Sequence, residues 1–142
     1  MKIATSYFYQ IRNFTPNIIP ISTAMSDPKW YRPPAGKEYY IDKRGIICGL
    51  RYEPLIVQPA SPIIQCPCMY HGKGNPFCGF ITEYRRALYE QVDKERVLKA
   101  FEYCCKKFNA DTIALIVYEA PNNPCSERGP LQEFFNCTEL EI

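Results

Sequence analysis

The stretch that decides the fold runs from Ile113 to Phe135 and reads IALIVYEAPNNPCSERGPLQEFF. It begins inside a continuous apolar run, Thr112 to Tyr118, whose composition is typical of a strand buried on both faces of a parallel sheet. A loop rich in Pro and Asn follows, and Leu131, Phe134 and Phe135 then restart an apolar spacing that fits a helix. The stretch therefore predicts a buried strand, a loop and a helix, which indicates an α/β fold.

Further strands are expected near both ends of the chain. Residues 2 to 9 are rich in β-branched and aromatic types, and residues 17 to 22 form a second short apolar run. A short helix is expected between them, around Ile11 to Phe14, and residues 138 to 142 predict a short final strand. Pro20 weakens the second prediction, because proline cannot donate to the hydrogen bonds of a central strand.

The middle of the chain, residues 38 to 79, reads as an insertion into a single domain that spans residues 1 to 142. Two short apolar segments, Tyr39 to Ile41 and Ile46 to Cys48, flank a turn-like Asp-Lys-Arg-Gly sequence and predict a hairpin. Residues 58 to 79 then hold four prolines, three glycines and three cysteines, and no regular element fits them. The insertion is thus expected to be a hairpin followed by a cysteine-rich loop.

From residue 80 onward the apolar residues recur at helical spacing, in two groups that Asp93, a good N-cap, separates. The apolar positions are Phe80, Ile81, Tyr84 and Leu88 in the first group and Val97, Leu98, Phe101, Cys105 and Phe108 in the second. They predict two amphipathic helices. The expected architecture is therefore α/β, with a mostly parallel sheet flanked by helices, an inserted hairpin and a cysteine-rich loop.

Composition limits the classes of partner. Seventeen basic residues against fifteen acidic residues give a net charge of +2, which is too small to indicate nucleic-acid binding by itself and does not exclude it. No stretch approaches the roughly 18 consecutive apolar residues of a membrane span. The N-terminus turns polar too early for a secretory signal. These features predict a cytoplasmic protein that contacts no membrane, and they leave its oligomeric state open.

The junction after the apolar strand, residues 119 to 128, is the expected ligand site. In open parallel sheets, ligands bind outside the carboxyl ends of the strands. Ser126 is a good N-cap for a helix that starts at Glu127, and the helix start together with Arg128 favours an anion such as phosphate or carboxylate. In the alternative, structural interpretation Ser126 is a cap alone, Arg128 forms a salt bridge with Glu119 or Glu127, and Asn-Asn-Pro is a turn.

A resemblance extends this interpretation. The stretch LIVYEAPNNPCSER, residues 115 to 128, resembles the signature of the uncharacterised protein family known as domain of unknown function 488, in which a strand ends in Tyr-Glu and Cys-His-Arg follows at a helix start. The segments IATSYFYQIRNF and IPISTAMSDPKWY look like that family's opening strand and second-strand segment. The resemblance implies an α/β fold and a pocket built from the two N-terminal strand ends and this loop, with no known activity. The chain departs from the signature, because Ser126 and Glu127 stand between Cys125 and Arg128 and the His is absent.

The leading functional hypothesis is binding of an anionic, nucleotide-like small molecule at the carboxyl ends of the strands. Trp30, in a proline-containing loop, is placed to stack on a base or ring, and the alternative is that it anchors the loop to the core. The expected lining is Ser6, Tyr7, Thr23, Lys29, Trp30, Glu119, Asn122, Asn123, Cys125, Ser126 and Arg128.

A second hypothesis is an enzyme that acts on a nucleotide or a nucleic-acid base. Glu119 would be its acid or base, and Cys125 would be a nucleophile whose pKa the helix start lowers. The sequence favours binding over catalysis, because the single histidine, His71, lies in the insertion. A carboxylate at the junction would be too weak a base at neutral pH if it is solvated.

The cysteine-rich loop carries a candidate metal site. Without an export signal, free thiols or metal ligation are favoured over disulfides. The stretch QCPCMYHGKGNPFCGF offers Cys66, Cys68, His71 and Cys78, which match the count and chemistry of a structural zinc site, although Cys-x-Cys is tighter than the usual spacing. Buried cysteines without metal, or a disulfide such as Cys66 to Cys78, are the alternatives. A zinc-tied loop would support a third hypothesis, an interaction protein that works through the insertion.

Overall fold

The computed structural model describes residues 1–56, 79–123 and 125–142. It confirms the predicted α/β class, with a three-stranded parallel sheet, flanking helices and an inserted antiparallel hairpin. The strands are β1 (Lys2–Tyr7), β2 (Ile18–Ser22), β3 (Tyr40–Ile41), β4 (Ile47–Cys48) and β5 (Thr112–Val117), and the helices are α1 (Gly79–Gln91), α2 (Lys94–Phe108) and α3 (Arg128–Phe135).

The central strand of the sheet is β5, which pairs in parallel with β1 on one side and β2 on the other. All six of its residues are buried, as its unbroken apolar sequence predicts for a strand covered on both faces. Ser6 of β1 and Ser22 of β2 both lie opposite Ile116. The three strands therefore reach the same level at their carboxyl ends.

The strand order explains why Pro20 is tolerated. Within the main sheet β2 is an edge strand, where a residue without an N–H group removes no hydrogen bond to an inner neighbour. Beyond the proline, the backbone of Ser22 accepts from Tyr52 and donates to Leu50. The chain that leaves the hairpin thus covers part of this edge.

The predicted hairpin is present, with β3 and β4 antiparallel. Its turn depends on Asp42, whose carboxylate accepts hydrogen bonds from the backbone N–H groups of Arg44 and Ile46, and on Gly45, which has a φ of +88°. The predicted cysteine-rich loop lies outside the described residues, apart from Gly79, which begins α1.

The described helices agree with the sequence in kind and differ slightly in their bounds. Asp93 caps α2 as predicted, since its side chain accepts from the N–H of Arg96. The short helix expected near the N-terminus is a 3₁₀-helix, Phe8–Asn13, so β1 ends at Tyr7. Residues 138 to 142 form a single parallel bridge, from Glu139 to Thr5, where a strand was expected.

Two layers of apolar side chains cover the sheet. On one face Ile113, Leu115 and Val117 of β5 pack with buried residues of α1, α2 and α3. On the other face Ala114 and Ile116 pack with the 3₁₀-helix and residues of the hairpin. Among the described helices, none is long and apolar enough to cross a membrane.

Candidate functional site

Polar side chains converge at the carboxyl ends of the three parallel strands. Ser6, the last residue but one of β1, is buried, and Thr23, which follows β2, is also buried. Both the backbone N–H and the hydroxyl of Thr23 donate to the carbonyl oxygen of Ile116, each over 3.0 Å. Glu119 follows β5 by two residues. Each strand therefore delivers one polar residue to this edge of the sheet.

The start of α3 adds three buried polar residues, Ser126, Glu127 and Arg128. The helix begins at Arg128, one residue later than predicted, and the Ser126 hydroxyl accepts from the Arg128 N–H over 3.1 Å. The prediction that Ser126 is the N-cap is therefore wrong: Glu127 stands at the N-cap without a side-chain cap hydrogen bond, and Ser126 holds the turn before the helix. The polar residues of this short turn are enclosed by the fold, which makes their partners decisive for stability.

Arg128 is held from two sides. Its Nε donates to a carboxylate oxygen of Glu139 over 2.8 Å, and its Nη2 donates to the backbone oxygen of Glu119 over 2.7 Å. The guanidinium carbon lies 5.7 Å from the centre of the Tyr7 ring. The structure thus pairs Arg128 with Glu139, and the salt bridge to Glu119 or Glu127 considered from sequence is wrong.

Glu139 is itself fixed by β1. The hydroxyl of Thr5 donates to the Glu139 carboxylate over 2.7 Å, and the Gln132 amide donates to that hydroxyl over 2.8 Å. Backbone hydrogen bonds join Thr5 to Thr138 and Leu140 on either side of Glu139. The C-terminal segment therefore sets the orientation of the arginine at the opposite end of α3.

Three buried atoms around this edge have no hydrogen-bond partner among the described residues: Ser6 Oγ, Glu119 Oε2 and Arg128 Nη1. A buried polar atom without a partner destabilises a fold by about 1–3 kcal/mol, so such atoms are uncommon and their grouping calls for an explanation. Arg128 Nη1 is a donor, Glu119 Oε2 is an acceptor when ionised, and a serine hydroxyl is both. A bound molecule that offers an acceptor and a donor would satisfy them.

Glu127 was not among the lining residues expected from the sequence. The residue is 5% exposed, so the condition of solvation, under which a carboxylate would be too weak a base, does not hold at this position. Its pKa is raised to about 8: burial is the largest cause, the charge of Glu119 acts in the same direction, and Arg128 and the Thr23 hydroxyl oppose the rise less strongly. Glu127 is therefore mostly protonated at neutral pH. The available signal was its place at the carboxyl edge, directly before a buried arginine.

The loop before α3 positions Cys125. Its backbone N–H donates to the Asn123 side chain over 3.0 Å, which gives Asn123 a structural role in the turn. Cys125 is buried and packs with Ile81 of α1. Asn122, in contrast, is exposed. The two asparagines expected in the lining therefore have different environments.

Two expected lining residues farther along the loop after β2, Lys29 and Trp30, lie on the surface. Lys29 is exposed, and Trp30 is 51% exposed. Tyr31 anchors the loop instead, since it is fully buried and its hydroxyl donates to the Leu50 carbonyl over 2.6 Å. The alternative in which Trp30 is the core anchor is thus wrong. Its indole ring meets Phe8 edge-on at 6.4 Å, and Phe8 also contacts Tyr118 at 4.8 Å.

The candidate zinc ligands, Cys66, Cys68, His71 and Cys78, lie outside the described residues. Within residues 1–56, 79–123 and 125–142, no group of three or more His, Cys, Asp or Glu side chains is arranged to hold a metal ion. Structural zinc, and with it an interaction protein that works through the insertion, stays a prediction.

No protein-family model matches the chain, and neither the curated proteins nor the solved structures compared with it include a match. The resemblance to domain of unknown function 488 therefore stays a prediction from the sequence. A functional proposal for this chain accordingly depends on the geometry and the electrostatics of the site.

Proposed function

We propose that the protein binds a small anionic, nucleotide-like molecule at the carboxyl ends of β1, β2 and β5. The observation that carries the proposal is the buried guanidinium of Arg128, held by Glu139 and the Glu119 carbonyl so that Nη1 has no partner among the described residues. An oriented, buried donor of this kind is typical of sites that bind phosphate or carboxylate.

The charges around the site disfavour a ligand with more than one negative charge. Glu139 already compensates Arg128, and Glu119 adds a second carboxylate at the same edge. Glu127, being mostly protonated at neutral pH, adds a donor without adding charge. A phosphodiester or a monoanionic phosphate therefore fits better than a polyphosphate, whose charge these carboxylates would repel.

A nucleotide also supplies a hydrogen-bond donor for Glu119 Oε2. Glu119 Oε2 is buried and can accept from a sugar hydroxyl or from an N–H of a base. The ring of Tyr7 lies beside Arg128, and the ring of Phe8, the next residue in the chain, contacts the rings of Tyr118 and Trp30. Aromatic side chains next to a phosphate-binding arginine offer the stacking that a base requires.

The test is calorimetric titration with nucleoside monophosphates, cyclic nucleotides and inorganic phosphate. Ser6→Ala removes an unpartnered hydroxyl and should leave stability unchanged or higher, and Arg128→Lys retains the charge opposite Glu139 while removing the second prong. Each should weaken nucleotide binding about tenfold or more, since a hydrogen bond to a charged group is worth about 1.5–3 kcal/mol. Ser26→Ala, at an exposed serine, is the matched control.

Equal affinities for wild type, Ser6→Ala and Arg128→Lys would refute the proposal, and so would the absence of binding by every compound. Thermal denaturation with ligand gives an independent reading, because a ligand that binds the folded protein raises its melting temperature. The Ser6→Ala protein should show a smaller ligand-dependent rise than wild type at the same ligand concentration.

An enzyme acting on a nucleotide or a nucleic-acid base is the second candidate, and one observation favours it. Glu127 holds a proton at neutral pH next to Glu119, which has a buried oxygen that can accept one. A buried carboxyl group that holds its proton beside a second carboxyl side chain suits general acid–base catalysis. Cys125 remains the candidate nucleophile, packed with Ile81.

Turnover distinguishes the two candidates. Nucleosides, nucleotides and short oligonucleotides would be incubated with the protein, and base release or hydrolysis followed by liquid chromatography. Glu127→Gln and Glu119→Gln should abolish turnover, and Glu127→Gln should retain ligand binding. Unchanged turnover in both variants would eliminate the acid–base assignment.

A further inference from the structure

The surface beside the carboxyl edge exposes three aromatic rings. Tyr9 is 60% exposed, Trp30 is 51% exposed and Tyr118 is 47% exposed. Each touches a ring of β1 or of the turn after it: Tyr9 stacks on Tyr7 with 6.5 Å between ring centres, and Trp30 and Tyr118 contact Phe8. The exposed rings are therefore grouped around the chain segment that also supplies Ser6 to the buried site.

The positive charge of the chain is concentrated in the same part of the sequence. Residues 8 to 44 contain six Lys and Arg against three Asp and Glu, a net charge of +3, whereas the whole chain carries +2. Two of these three acids are already paired, Asp27 with Arg51 and Asp42 with Arg44. The remaining basic side chains, Arg12, Lys29, Arg32, Lys37 and Lys43, are exposed.

A cation lies over one of these exposed rings, and a second cation is the chain neighbour of another. The guanidinium of Arg12 lies 3.9 Å from the centre of the Tyr9 ring, and Lys29 is adjacent to Trp30 in the short 3₁₀-helix Lys29–Tyr31. We name these two groups together, Tyr9 with Arg12 beside Tyr7 and Lys29, Trp30 and Tyr118 around the neighbouring Phe8, the aromatic–basic face. Flat rings interleaved with cations are the arrangement with which proteins hold bases and phosphates of single strands.

We propose that the aromatic–basic face binds a single strand of nucleic acid, DNA or RNA, and so presents one of its nucleotides to the buried site. The second half of this inference rests on the proposed function. Unpaired bases can stack on the exposed rings, which the stacked interior of a duplex does not allow. Each internal phosphodiester carries one negative charge, fewer than a polyphosphate would bring beside the compensated Arg128.

The experiment is fluorescence anisotropy with labelled oligonucleotides of ten nucleotides, as single-stranded DNA, single-stranded RNA and duplex DNA. We expect both single strands to bind more tightly than the duplex. Trp30→Ala should weaken single-strand binding about tenfold, while Trp30→Phe should retain most of it, because stacking on an aromatic residue is worth about 1–3 kcal/mol per base. The DNA and RNA arms show whether the sugar is recognised.

The salt dependence tests the cations. For single strands each phosphate contact contributes about 0.7 to the slope of log affinity against log salt, so a double variant Arg12→Gln, Lys29→Gln should flatten the slope by about 1.4. Matched controls lie on α2, where Tyr103 is 70% exposed and Lys99 and Lys106 are exposed. Tyr103→Ala, and Lys99→Gln with Lys106→Gln, should bind strands as the wild type does.

The outcomes separate this inference from the proposed function. Single strands that bind no more tightly than the duplex would overturn the role of the aromatic–basic face, even if mononucleotides bind through Ser6 and Arg128. So would single-strand binding that neither Trp30→Ala nor the Arg12→Gln, Lys29→Gln double variant weakens. Conversely, strand binding that needs Trp30 but is identical in Ser6→Ala and Arg128→Lys, with no mononucleotide binding, supports the face and overturns the buried site.

Discussion

Replacing Glu127 with glutamine should stabilise the protein at neutral and alkaline pH. The usual pKa of a glutamate side chain, 4.5, rises to about 8 here, because burial and the charge of Glu119 disfavour the ionised form. The folded protein thus holds this proton more tightly than the unfolded chain. Its contribution to stability is fully present below pH 4.5 and is lost as the pH rises towards 8.

The size of the effect follows from the shift. A tenfold change in proton affinity corresponds to about 1.4 kcal/mol, so ionisation of Glu127 should lower the free energy of unfolding by about 3 kcal/mol between pH 5 and pH 8. Glutamine is neutral throughout and nearly the same shape. Glu127→Gln should therefore match wild type near pH 5 and exceed it by about 3 kcal/mol near pH 8.

The assay is urea unfolding at constant ionic strength from pH 5 to pH 8. Tyr84, which also lies near Glu127, stays neutral in this range because burial raises its pKa well above the usual value. Glu102→Gln, at an exposed position on α2, is the control and should follow wild type. Parallel curves for wild type and Glu127→Gln would show that Glu127 is not protonated in the folded protein, and would refute the reasoning.

Two further predictions concern the supports of the site. Glu139→Gln removes the charge opposite Arg128, whose side chain is nearly fully buried, and should lower the free energy of unfolding by about 2–3 kcal/mol in urea titrations. The control, Glu133→Gln at the exposed pair with Arg85, should change the free energy of unfolding by less than about 1 kcal/mol. Equal losses in the two variants would contradict the assigned burial of Arg128. Gly49→Ala should destabilise more than Gly36→Ala. Both glycines have positive φ, but an added Cβ would lie 2.9 Å from Pro33 Cδ at Gly49 and would meet nothing within 4 Å at Gly36. At Gly36 the backbone strain of about 1–2 kcal/mol is therefore the whole expected loss of stability in thermal or urea unfolding. A loss in Gly36→Ala that matches or exceeds the loss in Gly49→Ala would contradict the close approach of Pro33 to Gly49.

Local patterns in the sequence were enough for the main elements. The apolar run of β5 indicated a strand buried on both faces, because nothing polar in it needs water. Helical spacing and the Asp93 cap predicted α2, and turn chemistry predicted the hairpin. The position of the candidate site also followed, since the order strand, loop, helix places residues 119 to 128 at the carboxyl edge.

The environment of each side chain in the site was a different matter. The partner of Arg128 was misassigned because Glu139 reaches it through hydrogen bonds with Thr5, at the other end of the chain. Trp30 and Tyr31 are adjacent and both aromatic, yet Trp30 is exposed and Tyr31 is buried. Spacing along the chain carries no information about such choices, because they depend on which distant segments pack against the residue.

Glu127 shows the same division most clearly. The sequence shows that this residue is a glutamate directly before Arg128, which suggests an ordinary charged residue at a helix start. Its burial arises from the packing of the strand ends, the loop after β2 and the start of α3 around one point. A carboxyl group acquires a high pKa from the loss of water and from the charge of Glu119, and both are properties of the folded chain.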